Sequence, residues 1–565
     1  MKFGKVKLLL ILIILLAAFL RIWKLDSVPV SLFGDELDVG YHAYSILKTG
    51  KDYYGNSWPI HFHSIAEWRT PLYLYSAVPT VAIFGVTPLG VRLPAAIFGI
   101  LSVYVMFLFV RQITNHQSLA IIASAVMAVN PWSLQYSHAG FEVTLLIFLL
   151  LLGLYFFFRA LQDFRFLIPA SISFALTPWV YSTAKLFTPL LLIFLFLVWR
   201  KEILSIPKKY LAFAFLAFVI IGAPITYDTF FGKATQRFSY ISIFTDPTTE
   251  PEVGTARQVD ARVRGEEGVG LQPTLLDRVV HNKYTFWGKN VIDNYFRAFS
   301  TDFLFVKGDI NLRHSIGTGE FYKIEAVALI AGLIFFFIGK RDVRVKLLIA
   351  FWILMGVVPA AITREGANHA TRLILILPPL IFLIAYGWFE VVKRFGKPAF
   401  VFLVLLYAIS YSLYAHRYFI HYPWESERWW HSGWSEAIAS VKEVEGGYDK
   451  VAISMNGEPA WIFFAGHYMY PPDLWQKNFP IGNDIDLAGF GKVSHIDKFY
   501  FGSLSGGLYE WGQVLDSKTL YLANASEVKV NLVLEPDRKP EDLDLIKAIT
   551  FPSGEPAFYL FSGTK

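Results

Sequence analysis

The chain has 565 residues, 55% of them hydrophobic and 17% charged, with a mean hydropathy of +0.44. An average soluble domain carries about 25% charged residues, so this composition excludes a disordered chain and argues against a purely soluble one. There is no cysteine, which removes disulfides, thiolate metal sites and thiol catalysis. The net charge of +6 would suit a nucleic-acid binder, but the basic residues lie in short loops between apolar runs, so no nucleic-acid partner is expected.

A bilayer core about 30 Å thick needs roughly 17–25 apolar residues as helix. In chain order, such spans are expected near residues 8–22, 90–110, 117–136, 143–158, 166–182, 186–199, 210–226, 324–339, 347–362, 371–391 and 398–416. Lys5 and Lys7, Arg111, Arg159 and Arg165, Arg200 and Lys201, Lys340 and Arg341, and Lys393 and Arg394 then fall on one side. Cytoplasmic loops carry such an excess of Lys and Arg, which puts the N-terminus in the cytoplasm and the C-terminus outside. Arg21 and Trp23 stand where a signal-peptidase site needs small residues, so the first span is expected to stay as an anchor.

The predicted architecture is an α-helical polytopic membrane protein of about eleven spans, followed by an extracytoplasmic α/β domain. Residues 1–416 form the membrane domain, with outer loops at 23–89 and 227–323, and residues 417–565 form the soluble domain. In the first outer loop the spacing of Leu37, Tyr41, Tyr44 and Leu47 predicts a helix over residues 36–47, and residues 71–84 are expected at the membrane interface. Residues 245–272, rich in Pro, Gly and charge, are expected to be mobile, while the aromatic stretch 275–305 is expected to be ordered. In the tail, a helix is expected over 434–444 and strands over 451–454, 499–501, 519–522 and 557–561.

Asp35 and Glu36 are adjacent carboxylates just beyond the first span. Such a pair suits deprotonation of a hydroxyl by one member with support from the other. It equally suits an ordinary helix start, where acids complement the backbone dipole. His61 and His63 would share one face of a strand and are weak metal candidates, because no third ligand accompanies them.

The motifs Phe33-Gly34-Asp35-Glu36, Lys48-Thr49-Gly50-Lys51-Asp52, Trp58-Pro59, Pro71-Leu72-Tyr73 and Val91-Arg92-Leu93-Pro94 follow one another in the first loop and second span. Asn130-Pro131-Trp132, Phe141-Glu142, Phe303-Leu304-Phe305 with Gly308-Asp309, and the stretch 368–372 come later. This ordered set resembles the dolichyl-phosphate-mannose protein mannosyltransferase family, and is similar to the related lipid A aminoarabinose transferases, both glycosyltransferases of the GT-C fold. The resemblance implies a donor that is a polyprenyl-phosphate sugar and an acceptor that is protein, lipid or polysaccharide, and direct displacement predicts inversion at the anomeric carbon. It implies Asp35 as general base, Glu36 in support and Glu142 as a second carboxylate at the site. A departing lipid phosphate gains charge and needs cations; Arg69, Lys185 and Arg372 are the candidates, whereas Arg92 is expected to anchor its helix. His138 stands where relatives carry Arg. The pattern assigns no cofactor, and because relatives differ on whether their chemistry needs one, a divalent metal stays open. Two competing readings are a transporter, disfavoured because its ionisable groups would lie at mid-membrane, and a non-catalytic glycan-binding relative.

Overall fold

The computed structural model describes residues 3–65, 67–232, 239–266, 272–455, 459–480, 482 and 484–564. Helix covers all or part of each of the eleven stretches expected to cross the bilayer. Five helical segments among the described residues are long and apolar enough to do so, or six if the bent pair Gln117–Val129 and Pro131–Ser137 counts as one. Leu72–Phe84 is helical but has only 13 residues, about 20 Å at 1.5 Å per residue, short of a full crossing.

Two breaks have clear local causes. At Asn130 the backbone is extended (ψ 133°), Pro131 offers no N–H to continue the helix, and the Asn130 side chain accepts the Ser133 N–H at 2.9 Å. The two helices therefore meet at a 56° bend. Within Leu377–His416, Gly396 takes φ 69°, a left-handed conformation that glycine adopts without steric cost, and the spans expected at 371–391 and 398–416 lie on either side of it.

The chain divides into two compact units. One comprises Met1–Ala17, Gly99–Gln135 and Val143–Ser410; the other comprises Ala18–Phe98, Tyr136–Glu142 and Tyr411–Lys565. In the first, helices Lys323–Ile338 and Leu377–His416 approach through glycine. A Cβ on Gly332 would stand 1.9 Å from the Leu383 carbonyl oxygen, and one on Gly387 would stand 2.0 Å from that of Ala328. Small residues permit this backbone approach between apolar helices. The segment expected to be mobile, 245–272, contains the helix Thr249–Val263. Its charged residues are spaced along a helix that needs no apolar run, and residues 267–271 lie outside the described residues.

The second unit is α/β. A short hairpin pairs β1 (Phe62–His63) with β2 (Trp68–Arg69), setting Phe62 opposite Arg69. A seven-stranded sheet follows, built from β3 (Lys450–Ile453), β4 (Ile485–Leu487), β5 (Gly491–Ile496), β6 (Phe499–Phe501), β7 (Thr519–Asn524), β8 (Leu543–Thr550) and β9 (Pro556–Gly563). Their order is β4-β5-β6-β3-β7-β9-β8, with β3 parallel to both β6 and β7 and the remaining pairs antiparallel. Alternation sorts the two faces: Val451, Ile453, Leu520, Leu522 and Leu560 enter one core, while Ala452, Tyr521, Ala523, Tyr559 and Phe561 enter the other. The four strands expected from the sequence are present; β4, β5 and β8 are additional, and β4 and β8 are the more exposed edge strands.

The helix Gly34–Thr49 belongs to this unit and shares the first core with Trp434, Ile438, Trp461 and Phe464. Tyr41 Oη donates to the Tyr470 carbonyl at 3.0 Å. Gln476 Nε2 donates to Ser45 Oγ, Thr49 Oγ1 and the Asp52 carbonyl at 3.0, 3.0 and 2.9 Å. Gly50 closes the helix at φ 70°.

Gly332→Leu should lower the melting temperature of the detergent-solubilised chain sharply, since overpacking at a close approach costs about 1–3 kcal/mol or more. Gly254→Ala, on a helix with open space around it, should raise stability by about 0.5–1 kcal/mol through helix propensity. Thermal unfolding of both variants checks the contrast.

Candidate functional site

The acidic helix begins at Phe33, whose carbonyl accepts the N–H groups of Glu36 and Leu37, both at 3.0 Å. This start sends its first two acids in opposite directions. Asp35 is exposed and Glu36 is buried. Among the described residues no hydrogen bond reaches the Asp35 carboxylate, so it is open to a reactant.

Glu36 is paired and buried. Arg92 holds it through Nε to Oε1 at 2.8 Å and Nη2 to Oε2 at 2.9 Å, and the Gly140 N–H donates to Oε1 at 2.7 Å. Arg92 also donates to the carbonyls of Pro29 and Ser31 at 2.8 and 2.5 Å, and lies 5.4 Å from the Trp430 ring centre. Both side chains are 0% exposed. Such an arrangement positions backbone: three hydrogen bonds and full burial hold the Glu36 carboxylate against Arg92 and Gly140.

Arg69, expected to face a donor phosphate, is buried at 5% exposure and turned inward. Its Nη1 donates to the Asp35 carbonyl at 3.0 Å and to Asp38 Oδ2 at 3.3 Å, and its Nη2 donates to Glu142 Oε2 at 3.4 Å. Burial opposes its charge, but Glu142, Asp35 and Asp38 outweigh that and hold the guanidinium well above its ordinary range. The β1–β2 hairpin places Arg69, and the turn before helix Val143–Ala160 places Glu142, so three separated sequence motifs converge here.

Three residues beyond Asp35, Asp38 is a third acid of the same helix. Tyr53 Oη donates to its Oδ1 at 2.6 Å, and His42 Nε2 lies 3.5 Å away. Burial, opposed by Arg69 and by hydrogen bonds from Tyr53 and Ser64, pushes its carboxyl up to about 6. Burial likewise drives the His42 imidazole down to about 3, and its ring stacks on Tyr53 with centres 3.8 Å apart. His138, the departure from the family pattern, is buried with Nε2 2.8 Å from the Leu20 carbonyl; burial lowers it to about 4, so it is a neutral structural group.

Asp35, Glu36, Arg69 and Glu142 all lie in the unit that contains the tail, whereas Lys185 and Arg372 lie in the other unit. Lys185 is at the start of helix Ala184–Val198. Arg372 Nη1 donates to Thr363 Oγ1 at 2.8 Å and to the Arg364 carbonyl at 2.6 Å. His61 and His63 join no group of three metal-capable side chains among the described residues: His63 stacks on Trp68 with centres 4.9 Å apart. The group that does form is Asp309, His314 and His369. Asp309 and His369 fall within motifs quoted above, but nothing in the sequence singled out His314.

The family model described as dolichyl-phosphate-mannose-protein mannosyltransferase matches residues 69–227, which bears out the resemblance read from the motifs. No curated protein matches the chain. Among solved structures, the chain is similar to the oligosaccharyltransferase AglB of Archaeoglobus fulgidus, in complex with an inhibitory peptide and a dolichol-phosphate, at 15% identity and a TM-score of 0.46. That match covers 83% of this chain and 64% of the archaeal one, so the chain spans less than two thirds of that relative. It is also similar to ArnT of Cupriavidus metallidurans bound to undecaprenyl phosphate, at 12% identity and a TM-score of 0.41 over 99% of this chain and 98% of that one. The protein O-mannosyltransferase complex Pmt1–Pmt2 of S. cerevisiae, bound to the sugar donor, matches at 19% identity and a TM-score of 0.33 over 41% and 35% of the chains.

Removing Glu36 as Glu36→Ala leaves Arg92 charged, buried and unpaired, and should destabilise the chain by about 3–5 kcal/mol, read as a large fall in melting temperature. Asp38 sets a pH dependence. Its folded value of about 6 lies above the ordinary 3.8, so its contribution to stability is full below about pH 4 and is lost as pH rises through 6. Asp38→Asn should therefore gain on the wild type by about 2–3 kcal/mol between pH 4 and pH 7, measured as the difference in melting temperature at the two pH values.

Proposed function

We propose that this chain is an integral-membrane glycosyltransferase that moves a monosaccharide from a polyprenyl-phosphate carrier to an acceptor hydroxyl at the extracytoplasmic surface. The observation that carries the reading is the exposed Asp35 carboxylate, held at a helix start whose neighbouring acid and cation are buried and paired. The family-model match at residues 69–227 supports the same class of reaction.

In this reading Asp35 accepts the proton of the acceptor hydroxyl as the oxygen attacks the anomeric carbon. The bond to the carrier phosphate breaks on the opposite face, so the configuration inverts. The helix start favours a carboxylate at this position through its unpaired N–H groups, and Arg69 fixes the Asp35 peptide through its carbonyl. Glu142 and Asp38 compensate the charge of Arg69, and Glu36 with Arg92 fixes where the helix begins. Arg69 and Glu36 are thereby positioning residues. The departing phosphate gains charge and needs a cation, a role for which the family resemblance offers Lys185 and Arg372. Apolar helices provide the surroundings for a prenyl tail.

The test is transfer by the full-length chain in lipid nanodiscs, supplied with a synthetic polyprenyl-phosphate hexose and envelope extract from a strain lacking the protein. Mass spectrometry follows prenyl-linked sugar and product. Asp35→Asn should lower transfer by about 10²–10⁴-fold, the range for loss of a positioned base, with an unchanged melting temperature. Wild-type rates in that variant would overturn the assignment of the base.

A further inference from the structure

The unit that contains Arg372 carries a second cluster of chemically capable side chains. Asp309, His314 and His369 each present one ligand atom, and the three atoms lie within 4.8 Å of one another. Gly308 turns the chain into this cluster at φ 72°, where a Cβ would stand 2.3 Å from the Thr318 carbonyl oxygen. Asp309 is 5% exposed. Its Oδ1 accepts the Asn311 N–H at 2.9 Å, and its Oδ2 accepts the Ala370 N–H at 2.9 Å and faces His314 Nδ1 at 2.9 Å. The two imidazoles stack with centres 4.6 Å apart.

Two imidazoles and one carboxylate are a donor set for zinc and similar borderline divalent ions, with bonds of about 2.0–2.2 Å. Ligand atoms around such a tetrahedral ion sit roughly 3.3–3.5 Å apart, a contraction within reach of side-chain rotation from the present spacing. The two backbone N–H groups on Asp309 supply the outer contacts that orient a ligating carboxylate. His314 and His369 are only half-buried, so a fourth ligand has an open approach.

We infer that Asp309, His314 and His369 bind one divalent ion of the zinc class, and that this ion ties the loop 307–322 to the turn that carries Arg372. His369 immediately precedes the helical turn Ala370–Leu373, and the Ala370 N–H already rests on Asp309. Arg372 lies two residues further and is held to Thr363 and Arg364. The ion thus acts as a clamp that positions Arg372, and that consequence alone rests on the proposed function.

The test begins with metal content, which needs no activity. The full chain is purified with a histidine-free tag, stripped with chelator and dialysed against zinc, then analysed by inductively coupled plasma mass spectrometry. About one ion per chain is expected, falling below about a tenth in His314→Ala/His369→Ala and staying at one in His61→Ala/His63→Ala. Zinc should raise the melting temperature of the stripped wild type, a readout that holds even if the double variant folds poorly. A folded wild type that takes up no zinc, cobalt or manganese overturns the site. For the clamp, stripping should raise the KM for the prenyl donor about tenfold with kcat little changed, and zinc should restore it in the wild type only. Metal binding without a change in KM overturns the clamp and leaves the site.

Discussion

A single buried ion pair governs the placement of the acidic helix. Glu36 and Arg92 bury opposite charges at full depth, and each spends its remaining capacity on backbone: Glu36 on the Gly140 N–H, Arg92 on the carbonyls of Pro29 and Ser31. Burying two charges is expensive unless the geometry satisfies nearly every lone pair and proton. Here the geometry does, and the compensation comes from two separate chain segments, at Pro29–Ser31 and at Gly140. The pair therefore fixes a junction, and the exposure of Asp35 one residue earlier follows from it.

The same helix is fastened along its other face to the tail. Leu37 packs so closely against Gly466 that a Cβ there would stand 2.8 Å from it, and Gln476 closes three hydrogen bonds onto the helix and its following turn. The tail's sheet thus supports the residues that the proposed reaction uses. Arg69 completes the arrangement from the hairpin, bridging the Asp35 peptide, Asp38 and Glu142. Charge in this region is distributed so that one carboxylate is left open to solvent while its neighbours are paired.

Much of this was legible in one dimension. The apolar runs marked the membrane helices, because crossing a bilayer demands length and hydropathy that few other structures need. The helix at 36–47 and the four central strands followed from periodicity. Within the stretch expected to be mobile, residues 249–263 form a helix, which Pro-, Gly- and charge-rich composition does not announce. Strands β4 and β8 are partly exposed edges with weak alternation, and β5, next to β4, is itself half exposed, so apolar alternation does not mark them. Among site residues, the converging motifs brought Asp35, Glu36, Arg69 and Glu142 into one unit, but burial separated their roles in a way no residue type announces.

The sequence by itself determined the class of chain, the family resemblance and the identity of the acids, since hydropathy, charge and ordered motifs are local properties. Tertiary structure alone decided that Asp35 is open while Glu36 is consumed, that Arg69 faces inward, and that His314 joins Asp309 and His369. Each of those outcomes depends on groups tens to more than a hundred residues apart meeting in space. Desolvation at the meeting point, rather than residue type, sets whether a charge is paired or left available.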